Sequence, residues 1–157
     1  MNNLFLGVIL SFLPIFELRG GLPIAITYAL SKNISLALVF TLVVLSNILA
    51  IFFVFFFLDF LHGSFMKLRW YRGFFSRYVR RTEKKGKNLE KKMGVIGYLA
   101  LMLFVAIPLP TTGAWTGSFI AWFFKFNRKK SIISIASGVI LAGIIVMLIT
   151  LGIINFL

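Results

Sequence analysis

A chain of 157 residues that is 60% hydrophobic and only 13% charged, with a mean hydropathy of +0.99, is too apolar for a water-soluble domain. We therefore predict an all-α integral membrane protein with one membrane domain over residues 1–157. The chain has no cysteine, one histidine and four acidic residues, so thiolate metal sites and disulfides are excluded. We expect no cofactor, no bound metal and no enzyme activity.

The first apolar block is interrupted by charge. Residues 16–23, Phe-Glu-Leu-Arg-Gly-Gly-Leu-Pro, stand between two strongly apolar runs. A charge at the bilayer centre costs about 2.5 to 3.5 kcal/mol, so such residues usually line a cavity. The alternative is a surface loop whose arginine reaches lipid phosphates. The candidate substrate or proton site in this break comprises Glu17, Arg19, Gly20, Gly21 and Pro23.

Neither run beside this break can span a bilayer. Residues 4–15 would form roughly 18 Å of helix, against a hydrocarbon core of about 30 Å. Two arrangements remain, namely one broken transmembrane helix or a re-entrant hairpin over residues 4–31. Glycine permits positive φ and proline ends helices, so a hairpin is expected to have Gly20, Gly21 and Pro23 at its tip.

Residues 34–61 are the first uninterrupted span, long enough to cross a membrane with some tilt. Their central polar residue is Asn47. An amide at mid-bilayer needs a partner, so Asn47 is either a contact between helices or a group that faces a cavity.

A basic region, residues 62–94, follows. Residues 67–92 hold 11 of the 17 lysines and arginines, and their aromatic residues recur at helical spacing. This pattern predicts an amphipathic helix on the cytoplasmic membrane surface. Anionic lipid explains the charge more simply than nucleic acid does, since the region lies between two hydrophobic blocks. The expected lipid contacts are Arg72, Arg77, Arg80 and Arg81.

The second block repeats the plan of the first. An apolar arm over 95–107 is followed by a break, a short arm over 114–124 and a span over 131–157. This order predicts an internal structural repeat. The break adds to the candidate site Pro108, Pro110, Thr111, Thr112 and Gly113.

The basic residues decide how the second block lies. If residues 95–124 crossed the bilayer, the basic stretches 67–92 and 125–130 would lie on opposite sides, whereas a re-entrant hairpin keeps both in the cytoplasm. If the first block is also a hairpin, the two halves, 1–61 and 95–157, have opposite orientations. The predicted fold is thus an inverted repeat of a re-entrant hairpin plus a transmembrane helix, with an interfacial helix between the halves.

Three features resemble a known family. The stretch Phe-Glu-x-Arg-Gly-Gly-x-Pro at 16–23, the stretch Pro-x-Pro-Thr-Thr-Gly-Ala-Trp-Thr-Gly at 108–117 and the basic region between them are similar to the small multidrug export family. That family resembles the wider DedA superfamily of membrane transporters and lipid scramblases. The resemblance implies two re-entrant hairpins that meet at a membrane-embedded site for proton-coupled transport or lipid translocation, with Glu17 and Arg19 in the first motif.

The functional hypothesis is a small multi-pass transporter of the cell membrane that moves a lipid-linked or small anionic or amphiphilic substrate. Burial disfavours the charge of Glu17 and the nearby Arg19 favours it, so the pair is suited to exchange a proton for an anion. Thr111 and Thr112 are either donors to that anion or ordinary helix caps. The alternative is a non-transporting scaffold or lipid-organising protein.

Small residues recur every fourth position in the last span, at Ser134, Gly138 and Ala142. Such a face lets another helix approach closely. We expect it to pack within the protomer or in a homodimer.

Overall fold

The computed structural model describes residues 3–65, 94–109 and 112–156, and the regular structure in these ranges is helical throughout. The predicted all-α class is confirmed. The helices in chain order are α1 (Asn3–Phe12), α2 (Glu17–Ser31), α3 (Leu36–Phe65), α4 (Gly94–Ala106), α5 (Ala114–Phe123) and α6 (Arg128–Phe156).

Two short helices followed by a long one occur twice along the chain. Helices α3, with 30 residues, and α6, with 29, are each more than 40 Å long, and both are apolar enough to cross a membrane. Their outer faces carry apolar side chains such as Leu49, Phe56 and Leu148, each more than 60% exposed. A hydrocarbon environment suits these surfaces, as the predicted spans over 34–61 and 131–157 require.

Helices α1 and α2 form a closely packed antiparallel hairpin. A Cβ atom at Gly7 would lie 2.7 Å from the carbonyl oxygen of Gly21, and a Cβ atom at Gly21 would lie 2.8 Å from the Cβ of Ser11. Only glycine at these two positions lets the two backbones touch, as in other small-residue contacts between membrane helices.

The turn of this hairpin lies earlier than the sequence predicted. The chain reverses over residues 13–16, whereas Gly20, Gly21 and Pro23 all lie inside α2. The prediction that these three residues form the tip is therefore wrong. Gly21 serves close packing rather than a turn, and Pro23 is accommodated within the helix, where it cannot donate a hydrogen bond to the carbonyl of Arg19.

The second half also packs through glycines. A Cβ atom at Gly117 of α5 would lie 2.7 Å from Val105 of α4, and one at Gly138 of α6 would lie 2.6 Å from the carbonyl oxygen of Met102. Gly138 therefore packs against α4 within the protomer. Ala142 is also buried and Ser134 is half-buried. A homodimer through this face remains a prediction.

The two short-helix pairs contact different parts of α3. Asn47, near the middle of α3, donates a hydrogen bond to the carbonyl of Ser11 in the last turn of α1, with 2.6 Å between the atoms. Asp59, near the end of α3, accepts hydrogen bonds from Trp122 of α5 at 2.8 Å and from Arg128 of α6 at 2.7 Å. The tip of the first hairpin thus lies beside the middle of α3, whereas α5 ends beside the C-terminal end of α3.

Some predicted features lie outside the described residues. They are the amphipathic helix with Arg72, Arg77, Arg80 and Arg81, and Pro110 and Thr111 in the second break.

Candidate functional site

The first turn of α2 contacts the start of α5, although the two helices come from different halves of the chain. The carboxylate of Glu17 accepts a hydrogen bond from the backbone N–H of Trp115, the second residue of α5, over 3.1 Å. Helix α5 begins after Gly113 and has no side-chain cap within its own segment. Glu17 therefore caps α5 from the other half and places its charge at the positive end of the helix dipole.

Gly113 makes this approach possible. A Cβ atom at this position would overlap the carboxylate of Glu17, so any other residue would displace that side chain. Glu17 itself has a φ of +46°, in the left-handed region that costs a non-glycine residue roughly 1 to 2 kcal/mol. The close contact and the unusual backbone angle both fix where the carboxylate lies.

Arg19 reaches the other side of the same break. Its Nη2 donates to the carbonyl oxygen of Ile107 over 3.1 Å, to the hydroxyl of Thr112 over 2.9 Å and to the carbonyl oxygen of Thr112. Ile107 directly follows α4, whose last carbonyl groups carry the negative end of that helix dipole. The guanidinium thus lies against the carbonyl group of Ile107 at the end of α4 and against both oxygens of Thr112 in the second break.

The two charges also face one another. Nη1 of Arg19 lies 3.8 Å from Oε2 of Glu17, and their side chains are only 19% and 8% exposed. The Nε of Arg19 is buried and has no hydrogen-bond partner among the residues that the structure describes. Each charge therefore contacts both its counter-ion and a helix end of opposite polarity, which compensates part of the cost of burial.

The carbonyl groups at the end of α1 accept hydrogen bonds from side chains of both halves of the chain. Besides the bond from Asn47 to Ser11, the indole N–H of Trp115 donates to the carbonyl of Phe12 over 2.8 Å. Asn47 therefore joins two helices. It also borders a cavity of about 10 Å³ beside Glu17, which has room for about one water molecule.

A groove of about 420 Å³ begins at Arg19 and runs between α2 and the C-terminal half of α6. This volume is typical of sites that hold small molecules. Pro23 and Pro108, one from each break, line the end near Arg19. Thr27 and Thr150 also line the groove, and their hydroxyls donate to carbonyl groups of their own helices. Arg19 is the one charged residue among the lining residues that the structure describes.

The predicted site residues are therefore partly brought together. Glu17, Arg19, Thr112 and Gly113 are in contact, Asn47 lies beside them and Pro108 lines the adjoining groove. Gly20 and Gly21 belong to the body of α2. Sequence reasoning missed Trp115 as a hydrogen-bond donor to Glu17 and Phe12. It also missed Thr27 and Thr150 as residues that line the groove. A signal existed for Thr150, the one polar side chain in the apolar stretch 146–154.

Comparison with known proteins assigns most of the chain to a family. Residues 17–145 match the model of the family described as "Putative small multi-drug export protein", and this stretch includes both breaks. The chain matches no curated protein and no solved structure.

Proposed function

The chain belongs to this small multi-drug export protein family, and from that premise we propose that it is a proton-coupled membrane transporter of a small anionic or amphiphilic substrate, lipid-linked molecules included. An export family indicates a membrane protein and a transporter rather than an enzyme, and α3 and α6 have the length and composition of membrane spans. The relation to the DedA superfamily stays a prediction.

The observation that carries the proposal is the contact of Glu17 and Arg19 with the second break. Discontinuous helices in transporters direct their polarised ends at the substrate or coupling ion near the membrane midplane. In this protein a carboxylate occupies the N-terminal end of α5 and a guanidinium lies at the end of α4. An anionic substrate that approaches Arg19 must therefore compete with Glu17.

This competition supplies a coupling mechanism. Protonation of Glu17 removes its negative charge from Arg19 and from the N-terminus of α5, so both become available to an anion. Anion binding is then expected to tighten as the pH falls and to weaken when the proton leaves. The proton and the anion would move as a linked pair.

We further propose that both short-helix pairs are re-entrant and that the halves are inverted. The contact of Trp122 with Asp59 supports this arrangement, because it places the end of α5 beside the end of α3 that leads into the basic region. The turn over 13–16 lies near mid-α3, and α2 ends beside the start of that helix. Residues 62–94 and 125–130 would then be cytoplasmic.

The test is a Glu17→Gln variant in vesicles of phosphatidylcholine that contain a fluorescent phosphatidylglycerol analogue. Transbilayer movement of the analogue by the unaltered protein should be faster in acidic than in alkaline buffer. The variant should lose this pH dependence, because the glutamine side chain is a neutral amide that does not titrate in this pH range. Asp59→Asn is the matched control, since it removes one carboxylate from an exposed ion pair and should preserve the pH dependence. Full, equally pH-sensitive activity of folded Glu17→Gln protein would refute the proton-carrier role.

One observation favours the non-transporting alternative. Both charges already have partners in the structure, so the pair would serve to hold the two halves together. In that case Glu17→Gln should lower stability, and the unaltered protein should move no analogue at any pH.

A further inference from the structure

We propose that the groove between α2 and α6 admits the phosphate headgroup of a membrane lipid and leads it to Arg19 from one membrane face only. That face is the one where α2 ends and α3 begins. This inference rests on the proposed transport site and adds a route of entry and two residues along it, Thr27 and Thr150.

Charge decides which headgroup fits. Arg19 lies at the inner end of the groove, and its side chain keeps 19% exposure despite its bonds to the second break. With no acidic residue among the described lining residues, a cationic molecule would meet the like charge of Arg19 there and no counter-ion on the groove wall. A guanidinium binds phosphate through paired charge-assisted hydrogen bonds, and phosphate is the anionic group that membrane lipids carry in their headgroups.

The outer wall of the groove determines where the hydrocarbon chain lies. Ile149 and Ile153 line the groove and are 52% and 56% exposed, so the groove is open sideways on the surface of α6. A lipid can therefore keep its chain among other lipids while its headgroup lies inside. Only the polar part of the molecule then needs protein contacts, which avoids the cost of a charge in hydrocarbon.

Two hydroxyl groups lie along this route. The stretch from Val146 to Ile154 covers roughly 12 Å of α6 by helical rise. Thr150 lies at its centre, and Thr27 lines the groove from α2. Each hydroxyl now donates to a carbonyl of its own helix. Thr27 is exposed, whereas Thr150 is only 9% exposed and is reached from inside the groove. Either hydroxyl can donate to a phosphate instead after rotation about its side-chain bond.

The route ends at the site. Beyond Arg19 the space shrinks from about 420 Å³ to about 10 Å³ in the cavity beside Glu17. That side is filled by the contact of Glu17 with Gly113 and by the rings of Phe12 and Trp115, whose centroids are 6.5 Å apart. A headgroup at Arg19 can therefore be reached from the membrane face near Lys32 and not from the face near Asp59.

The experiment uses the absence of cysteine, which makes any introduced thiol unique. The variants are Thr150→Cys in the groove and Leu148→Cys on the lipid-facing side of α6, where the native residue is 66% exposed. The full chain is reconstituted in oriented phosphatidylcholine vesicles and treated with membrane-impermeant thiol reagents, one anionic (sulfonatoethyl) and one cationic (trimethylammonioethyl). The reagent is added to one side at a time.

The thiol at position 150 should react with the anionic reagent from the Lys32 face only, and the thiol at 148 should react from neither face. Phosphatidic acid in the vesicles should slow the reaction at 150 because a bound headgroup blocks access to the thiol, by about tenfold when the lipid is present at about ten times its Kd. Inorganic phosphate should not, because it lacks the chain that concentrates the headgroup at the groove. Adding Arg19→Gln should remove the preference for the anionic reagent.

The inference is overturned if position 150 reacts from the Asp59 face, if it is no more reactive than position 148, or if the cationic reagent is equally fast. Equal protection by inorganic phosphate would show a site for free anions instead of lipids. Thr27→Cys repeats the test from α2 should Thr150→Cys fail to fold. These results do not depend on transport, so they separate this inference from the Glu17→Gln test.

Discussion

Glu17 and Arg19 show how two charges are retained in an otherwise apolar protein. Glu17 is buried and Arg19 is half-buried, each against a helix end of opposite polarity, and the two lie 3.8 Å apart at their closest atoms. Loss of one partner from a buried pair costs about 3 to 5 kcal/mol, because the other charge is left without compensation. The second break, residues 108–113, contains no charged residue, and both charges of the site come from the first half.

Gly113→Ala tests the capping contact directly. The added methyl group would overlap the carboxylate of Glu17, so we expect a loss of roughly 1 to 3 kcal/mol of stability, as for other overpacked sites. The measurement is thermal unfolding in detergent. Gly152→Ala is the matched control, because a Cβ atom there meets none of the described residues within 4 Å.

The Glu17→Ala background adds a second check on the same contact. Without the carboxylate, Gly113→Ala should cost much less than it does in the unaltered chain, because contacting residues are not additive. Equal costs in the two backgrounds would mean that the methyl group clashes with something else.

At the scale of helices, the sequence predicted the length of the apolar spans but not the contacts between the helices. The spans 34–61 and 131–157 correspond to α3 and α6, because hydropathy measures what a membrane requires. The hairpin tip was misplaced because glycine serves both positive φ and close packing, and Gly21 has the second role. Glu17 and Arg19 form hydrogen bonds with backbone atoms of Trp115, Ile107 and Thr112. Every residue has these backbone groups, so the sequence does not show which of them will be the partners.

The α4–α6 contact gives a prediction at this scale. Gly138→Leu should force α6 away from the carbonyl of Met102 and lower the unfolding temperature, whereas Gly152→Leu should not. Oligomer size in detergent should stay unchanged in both variants. If Gly138→Leu alters oligomer size but leaves the unfolding temperature as it was, this face is a contact between protomers.

At the scale of the whole molecule, the site depends on both halves. Helix α2 contributes both charges, and the second half contributes the two helix ends that they face. Asp59 and Arg128 join the halves again at one end of α3, near the basic residues. If the halves form the proposed inverted repeat, the contact of Glu17 and Arg19 with the second break is a single site at their junction, which suits the proposed transport by movement of one half against the other.

The proposed inverted topology makes the last prediction. Cysteines introduced at Gly86 and Asn127 should be labelled by an impermeant thiol reagent from the same, cytoplasmic side, and a cysteine at Lys32 from the opposite side. The reason is that the lysines and arginines of 67–92 and 125–130 stay in the cytoplasm only if α4 and α5 enter and leave by one face. Labelling of Gly86 and Asn127 positions from opposite sides would mean that residues 95–124 cross the bilayer. The two halves would then no longer be inverted, and Arg19 would lose the midplane position on which its proposed role depends.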